Sequence, residues 1–406
     1  VDSGNDSPLG LADTPLIVCF HAGIGYGHTK GSQAIAEAIK FLNTGVRVEV
    51  LDCLDFSSSI RAWLTKNLYL FTVKNFPRLW ERLYSSKGRF HRLSLHLSRF
   101  VMVHSLRKRL GRFLGDNPIA SVICTHFFAP PALVKLREKK GFDFKIFVAI
   151  TDYDAHPFWS MPGVDGYFVA NDTAKKRLIK VDVPRELVKV YGVPIEMKYM
   201  RWRPRDLARR KLGLSRRREG VLVVGGGDGL GPIYKLVEGL DRRLKDALIL
   251  VVCGKNERLR RRLEDYSPVG DNEIKLYGFV DYMDMMYDAC DLVVTKPGGV
   301  TSAELLAKGV PVVSMEIFGG QERRNLEYLH HSGGLFEVDD VEEGVERVAE
   351  LLPRKKYLAK LKRRMRRLAR PDSSLLIAGQ VLSALGLPPT PKKLTPKEEP
   401  RKTSGS

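Results

Sequence analysis

Two series of short, almost unbroken apolar runs, each run followed by a helical stretch, restrict this chain more than any other feature. LIVCF (16–20), VRVEVLDC (46–53), IASVICT (119–125) and KIFVAI (145–150) make the first series, with amphipathic stretches such as SQAIAEAIKFL (32–42) between them. VLVVGGG (221–227), ALILVVCG (247–254), EIKLYGFV (273–280), DLVVTK (291–296) and VPVVSM (310–315) make the second. A strand that is apolar at nearly every position must be covered on both faces, and helices on both sides of a parallel sheet provide that cover. The pattern predicts an α/β fold of two doubly wound domains, 16–193 and 220–370. They are joined by a Pro- and Arg-rich linker over 194–219. Residues 1–15 read as an N-terminal extension, and 371–387 as a C-terminal helix able to return to the first domain. The closing PPTPKKLTPKEEPRKTSGS (388–406) reads as a disordered tail.

The length of 406 residues suits two domains. No apolar run approaches the ~18 residues of a spanning helix. The start, VDSGNDSPLG, carries acid where a secretory signal carries base, and it lacks Met, as a processed or partial chain would. Five cysteines, at 19, 53, 124, 253 and 290, form no CxxC pair and read as buried thiols of a reducing compartment rather than a metal site. The net charge is +20, which favours nucleic acid, an anionic bilayer or anionic substrates as partners. Residues 57–115 alone carry 13 Lys/Arg against Glu81, with Arg61, Lys66, Arg78 and Lys87 interleaved among Trp63, Phe71, Trp80, Tyr84 and Phe100. That composition predicts a peripheral interfacial segment. The competing expectation is a segment packed on the first domain with its arginines in solvent.

Glycine turns carry the sharper chemistry. VLVVGGGDGLGP sets Gly225, Gly226, Gly227 and Gly229 between a strand and a helix, where backbone N–H groups can approach phosphate. TKPGGVTSAELL repeats the arrangement, with Pro297, Gly298 and Gly299 before a helix expected near Thr301, so that amides over 298–302 face an anion. Glu304, on the first turn of that helix, can accept both hydroxyls of a ribose, or merely complement the helix dipole. Gln321 and Glu322, followed by Asn325, suit hydrogen bonding to sugar hydroxyls, with helix capping as the alternative. Asp228 reads as turn chemistry. Neither turn is followed by the acid and nicotinamide pocket of a dehydrogenase. Two nucleotide-type turns facing a separate first half fit a nucleotide-sugar cleft between two Rossmann-like domains. The first half contributes HAGIGYGH (21–28), which places His28 at a helix start. The helix N-terminus keeps such an imidazole neutral, so His28 is read as a general base, against a purely structural role.

These segments, taken in order as GIGYGHTKGSQAIAEAI, TDYDAHPFW, VYGVPI, GGGDGLGP, GFVDYM, TKPGGVTSAELLAKGVPVV and GGQERRN, resemble the diacylglycerol glycosyltransferases. That family holds bacterial diacylglycerol glucosyltransferases and plant monogalactosyldiacylglycerol synthases, and is related to the peptidoglycan N-acetylglucosaminyltransferase. The resemblance runs from about Val18 to Gly334, and FPRLWERLY (76–84) is similar to the family's aromatic membrane segment. It implies an inverting GT-B enzyme moving a hexose from UDP-glucose or UDP-galactose to diacylglycerol, or to glycosyl-diacylglycerol, on the cytoplasmic face of a membrane with anionic lipids. His28 matches the base. Asp152 matches an acid that orients a catalytic group or contacts the acceptor, with His156 and Trp159 following on the acceptor side. Backbone at Phe279 and Val280 matches the uracil contact, Glu304 the ribose carboxylate, and Gln321 and Glu322 the donor-sugar residues. Pro297, Gly298, Gly299, Thr301 and Ser302, with the 225–231 turn, would hold the diphosphate in place of a metal, so no cofactor is expected. Arg323 and Arg324 depart from the small residue that relatives often carry before Asn325.

Other readings remain at this level. A transferase of UDP-N-acetylglucosamine type acting on a polyprenyl lipid, or a nucleotide-sugar epimerase, keeps the fold, although an epimerase needs no basic aromatic arm. A nucleic-acid-binding protein fits the charge but leaves the phosphate-type turns unexplained and shows no module signature, so no nucleic acid is expected. Arg201–Arg218 and Arg354–Arg370 read as solvated basic helix faces.

Overall fold

A computed structural model describes residues 14–23, 25–57, 89–296, 298–315 and 321–387, without the side chains of 89–102, 315 and 321–324. Arg61, Trp63, Lys66, Phe71, Arg78, Trp80, Tyr84, Lys87, Pro297 and the 388–406 tail lie outside the described residues, as do the side chains of Phe100, Gln321 and Glu322.

The apolar runs form two all-parallel sheets of six strands each. The first contains β1 (Leu16–His21), β2 (Arg47–Asp52), β3 (Ile119–Cys124), β4 (Lys145–Ala149), β5 (Gly166–Val169) and β6 (Val188–Val190), in spatial order β2-β1-β3-β4-β5-β6. The second contains β7 (Glu219–Val224), β8 (Ala247–Val252), β9 (Glu273–Tyr277), β10 (Leu292–Thr295), β11 (Val312–Met315) and β12 (Leu335–Val338), in order β12-β11-β10-β7-β8-β9. In the first sheet the winding direction reverses between β1 and β3, in the second between β7 and β10. A crevice opens beyond the carboxyl ends of the strands at such a reversal, and ligands bind there. All three glycine turns follow a strand at one of these two points.

The helices flanking the first sheet are α1 (Tyr26–Leu42), α2 (Arg89–Asp116), α3 (Pro130–Lys140) and α4 (Asp172–Ile179). Those of the second half are α5 (Arg205–Lys211), α6 (Ile233–Arg243), α7 (Glu257–Glu264), α8 (Met283–Ala289), α9 (Gly299–Lys308), α10 (Gln321–Ser332), α11 (Val341–Leu351) and α12 (Lys355–Leu368). The last helix, α13 (Ser373–Ala384), sets Ile377, Ala378, Val381 and Leu382 against Ile35 and Ile39 of α1, on the first sheet. Ser373 and Ser374 hydroxyls donate to Val193 and Ile195 carbonyls at 2.7 Å, tying this crossover to the other interdomain strand of chain. Ala170, Val193 and Ile195 share one buried cluster with Leu222, Val293 and Leu305, so the core runs between the domains. All five cysteines are free and buried, and burial pushes the Cys19 thiol up to about 12.

Two expectations need correction. The 194–219 stretch is not a bare linker: α5 lies within it and buries Ala208 in the second domain's core. Nor are the arginines of 201–218 all solvated. Arg209 is 0% exposed, its Nε donating to Ala289 O at 2.7 Å and its guanidinium 3.3 Å from Asp291. Arg205 meets Asp291 at 2.9 Å, and Arg203 meets Asp284 at 2.6 Å and Asp288 at 3.3 Å. A buried guanidinium needs carboxylate and carbonyl partners, and α8 with the turn after it provides them. In α12, by contrast, Leu358, Leu361 and Met365 face inward while Lys356, Lys360, Arg363 and Arg367 are exposed.

Candidate active site

The first glycine turn enters α1 earlier than its sequence indicates. Gly25, at φ 86°, is the cap, and the helix begins at Tyr26, so His28 falls within the first turn. Its position is fixed from β3 and β4. The Thr125 hydroxyl donates to His28 O at 2.8 Å, and His28 Nδ1 lies 2.8 Å from Thr125 O and 2.8 Å from Thr151 Oγ1. A carbonyl oxygen can only accept, so Nδ1 carries the proton and the lone pair is left on Nε2. Burial lowers the imidazole's proton affinity, against the opposing pull of Asp152 and the Thr125 hydrogen bond, with His21 adding repulsion. His126 packs edge-on at 4.7 Å between centroids and is itself held well below the usual imidazole range, first by burial. The result is a neutral histidine with a defined basic nitrogen.

The second domain meets this site at the start of α9. A Cβ on Gly299 would lie 2.0 Å from Thr151 O, so only glycine permits the approach. Ser302 N–H already donates to Gly298 O at 2.8 Å, and the Ser302 side chain is fully buried. The expected amide set of 298–302 therefore narrows to the first three helical N–H groups, at 299, 300 and 301, which have no intrahelical acceptor. Starting the helix at Gly299 also moves Glu304 to the second turn. There it is 8% exposed. Burial raises its carboxyl to about 8, a hydrogen bond with Tyr199 opposes the rise, and Glu196 adds repulsion.

Asn325 couples the halves. Its Nδ2 donates to Asp152 Oδ1 at 3.1 Å and its Oδ1 accepts from Tyr153 N at 2.9 Å, while Tyr153 and Tyr328 stack at 4.4 Å. Its amide, expected on a donor sugar, is committed to the interdomain contact. Asp152 thus lies between His28 and α10. His156 and Trp159, expected on the acceptor or membrane side, are 3% and 2% exposed. They sit in the first domain's core among Phe127 and Phe158. An interfacial side chain must reach headgroups, and these two are core residues instead.

Phe279 is 47% exposed and Val280 packs on the second domain's core. Phe279 faces Tyr26 edge-on at 6.0 Å, a pairing across the two domains. Tyr26, Thr125, Thr151 and Tyr199 touch the candidate site residues and were passed over by sequence reasoning. Only Tyr26 carried a signal, as a large ring between two glycines of a turn.

Comparison with known proteins agrees with this fold. The family described as monogalactosyldiacylglycerol (MGDG) synthase matches residues 28–195, and that of glycosyl transferases group 1 matches residues 228–379. The chain is 28% identical over 382 residues to the processive diacylglycerol beta-glucosyltransferase of Bacillus cereus (strain AH820), covering 92% of this chain and 95% of that protein. The enzyme of the same name from Bacillus thuringiensis (strain Al Hakam) matches at 28% over 381 residues, 92% and 94% of the two chains. The chain is thus similar to diacylglycerol glycosyltransferases over most of its length. The fold is likewise that of solved GT-B structures. Acinetobacter baumannii MurG superposes with a TM-score of 0.61 at 14% identity, over 91% of this chain and 99% of its own. The UDP-GlcNAc 2-epimerase of Neisseria meningitidis gives 0.56 at 13%, over 91% and 100%. At such identities these two report the fold alone, so they give no support to the epimerase or polyprenyl-lipid readings.

Proposed function

We propose that this glycosyltransferase moves a hexosyl group from UDP-glucose or UDP-galactose to diacylglycerol, with inversion at the anomeric carbon. The observation that carries the reading is the meeting of the two switch points. His28, with its lone pair on Nε2, stands beside Thr151–Asp152, and the N-terminus of α9 abuts the same two residues. A base for an acceptor hydroxyl and a helix end for a diphosphate are thus brought to one place.

In this reading His28 Nε2 takes the proton of the glycerol hydroxyl as its oxygen attacks the anomeric carbon from the face opposite UDP. Asp152, whose charge favours the protonated imidazole, stabilises the imidazolium that forms. The first amides of α9 and the 225–231 turn receive the diphosphate, doing the electrostatic work of a metal. Glu304 binds the ribose, with Phe279 and Val280 beside the base. Gln321 and Glu322 contact the sugar. The basic aromatic stretch of 57–115 docks on anionic lipid at the cytoplasmic face. Among the described residues no helix is long and apolar enough to cross a membrane, and the acceptor is itself insoluble. The test offers labelled UDP-glucose and UDP-galactose separately with diacylglycerol micelles. Labelled glycolipid from one donor assigns the sugar. Labelled product from neither, with free monosaccharide or an epimerised nucleotide instead, refutes the reading.

A further inference from the structure

Three lysines stand around Tyr26 and Glu196, and two of them share one carboxylate. Lys30 Nζ is 3.5 Å and Lys198 Nζ 3.0 Å from the Glu196 carboxylate. Lys255 is different. Its ammonium lies 5.5 Å from the Tyr26 ring centroid and 5.9 Å from that of Phe279, and among the described residues it meets no carboxylate.

The backbone explains where Lys255 stands. Gly254 turns at φ +60°, and a Cβ there would clash with Gly227 O. Lys255 N–H donates to that same oxygen at 2.9 Å, so the end of β8 is strapped to the glycine turn after β7. Tyr26 then packs on the glycine turn after β7. Its ring lies 3.2 Å from where a Gly227 Cβ would be, and the neighbouring Gly27 faces Val300, in the first turn of α9, at 3.6 Å by the same measure. The ammonium therefore rests on a side chain that packs against the 225–231 turn, one residue before the backbone that faces α9. Ring faces hold a cation without neutralising it, and a phosphate oxygen is the stronger partner.

We propose that Lys255 is the cation that receives the departing nucleoside diphosphate, held ready by the Tyr26–Phe279 ring pair. The inference rests on the UDP-sugar reading and extends it. The bond from the anomeric carbon to the diphosphate oxygen breaks, and its electron pair stays with that oxygen. The new bond forms to the acceptor oxygen, and the acceptor's proton goes to His28 Nε2. Lys255 donates a hydrogen bond to the diphosphate and exchanges no proton. Helix and turn amides supply only partial charges, so a full cation is the missing complement to the charge that develops.

Lys255→Gln and Lys255→Arg test this by calorimetric titration with UDP and with uridine, alongside kcat and KM. Lys255→Gln should weaken UDP by about 10–100-fold, lower kcat, and leave uridine within about twofold of the wild-type value. It should also flatten the salt dependence of UDP binding, and Lys255→Arg should recover most of both losses. The proposal is overturned if Lys255→Gln binds UDP and turns over within about twofold of wild type. It is overturned equally if uridine and UDP weaken by the same factor, because Lys255 would then only support the rings. A wild-type protein that binds no UDP would refute the donor itself and this proposal with it, so the wild-type titration tells the two failures apart.

Discussion

Protonation of Glu304 offers a quantitative test of the donor site. The residue is 8% exposed, and burial raises its carboxyl to about 8. At pH 7 the acid form then predominates by about tenfold. Two ribose hydroxyls are best received by an ionised, acceptor-only carboxylate. Ionising Glu304 one unit below its pKa therefore weakens UDP about tenfold at pH 7, or ~1.4 kcal/mol. The wild-type Kd should tighten by that factor between pH 7 and pH 9 and then level off. Titration in two buffers of different ionisation enthalpy should show about one proton released per UDP at pH 7. Glu304→Gln should bind more weakly and show no such slope. The stability of the ligand-free protein runs the other way. A carboxyl whose folded value is raised from 4.5 to about 8 contributes stability that is full below 4.5 and is lost as the pH climbs through about 8. A wild-type Kd that is flat from pH 7 to 9, or an equal slope in Glu304→Gln, would refute the assignment of Glu304 to the ribose.

His28→Ala should lower kcat by about 10²–10⁴-fold with UDP affinity intact, and unchanged turnover would remove His28 from the mechanism. Because burial lowers its pKa from 6.5, the acidic limb of wild-type kcat/KM should lie below that value. Lys308→Met should destabilise the second domain. The Lys308–Asp288 pair is 2.7 Å long with both side chains 0% exposed. Stranding Asp288 with Arg203 alone costs about 3 kcal/mol, read from the denaturant midpoint, and an unmoved midpoint would show the pair to be neutral. Changing Arg61, Lys66, Arg78 and Lys87 to Glu together should abolish co-sedimentation with phosphatidylglycerol vesicles, since each cation near an anionic leaflet is worth about 1 kcal/mol. UDP affinity should hold, and a variant that still sediments at low salt would sink the membrane-segment reading.

The sequence by itself determined the two doubly wound sheets, because a run such as ALILVV declares in its own residues that both faces are buried. It also determined where the glycine turns fall, since a glycine run between a strand and a helix is visible in the residues themselves. Short edge and near-edge strands were not legible. GYFV (166–169), VKV (188–190) and LFEV (335–338) become β5, β6 and β12 through pairing with neighbours already in place, not through a pattern of their own. The arginines of 203–209 looked solvated because their carboxylates, Asp284, Asp288 and Asp291, lie some eighty residues away in sequence. The tertiary structure alone decided the chemistry of the site. His28 was visible as a histidine in a glycine loop, but the nitrogen that bears its lone pair is chosen by Thr125 O, 97 residues on and one strand over. Burial of Glu304, the commitment of Asn325 to Asp152 and the ring cage around Lys255 depend in the same way on chain segments that meet only when the two sheets close on each other. Protonation and partner choice follow from local dielectric and from distances of a few ångströms, and a linear sequence specifies neither until it is folded.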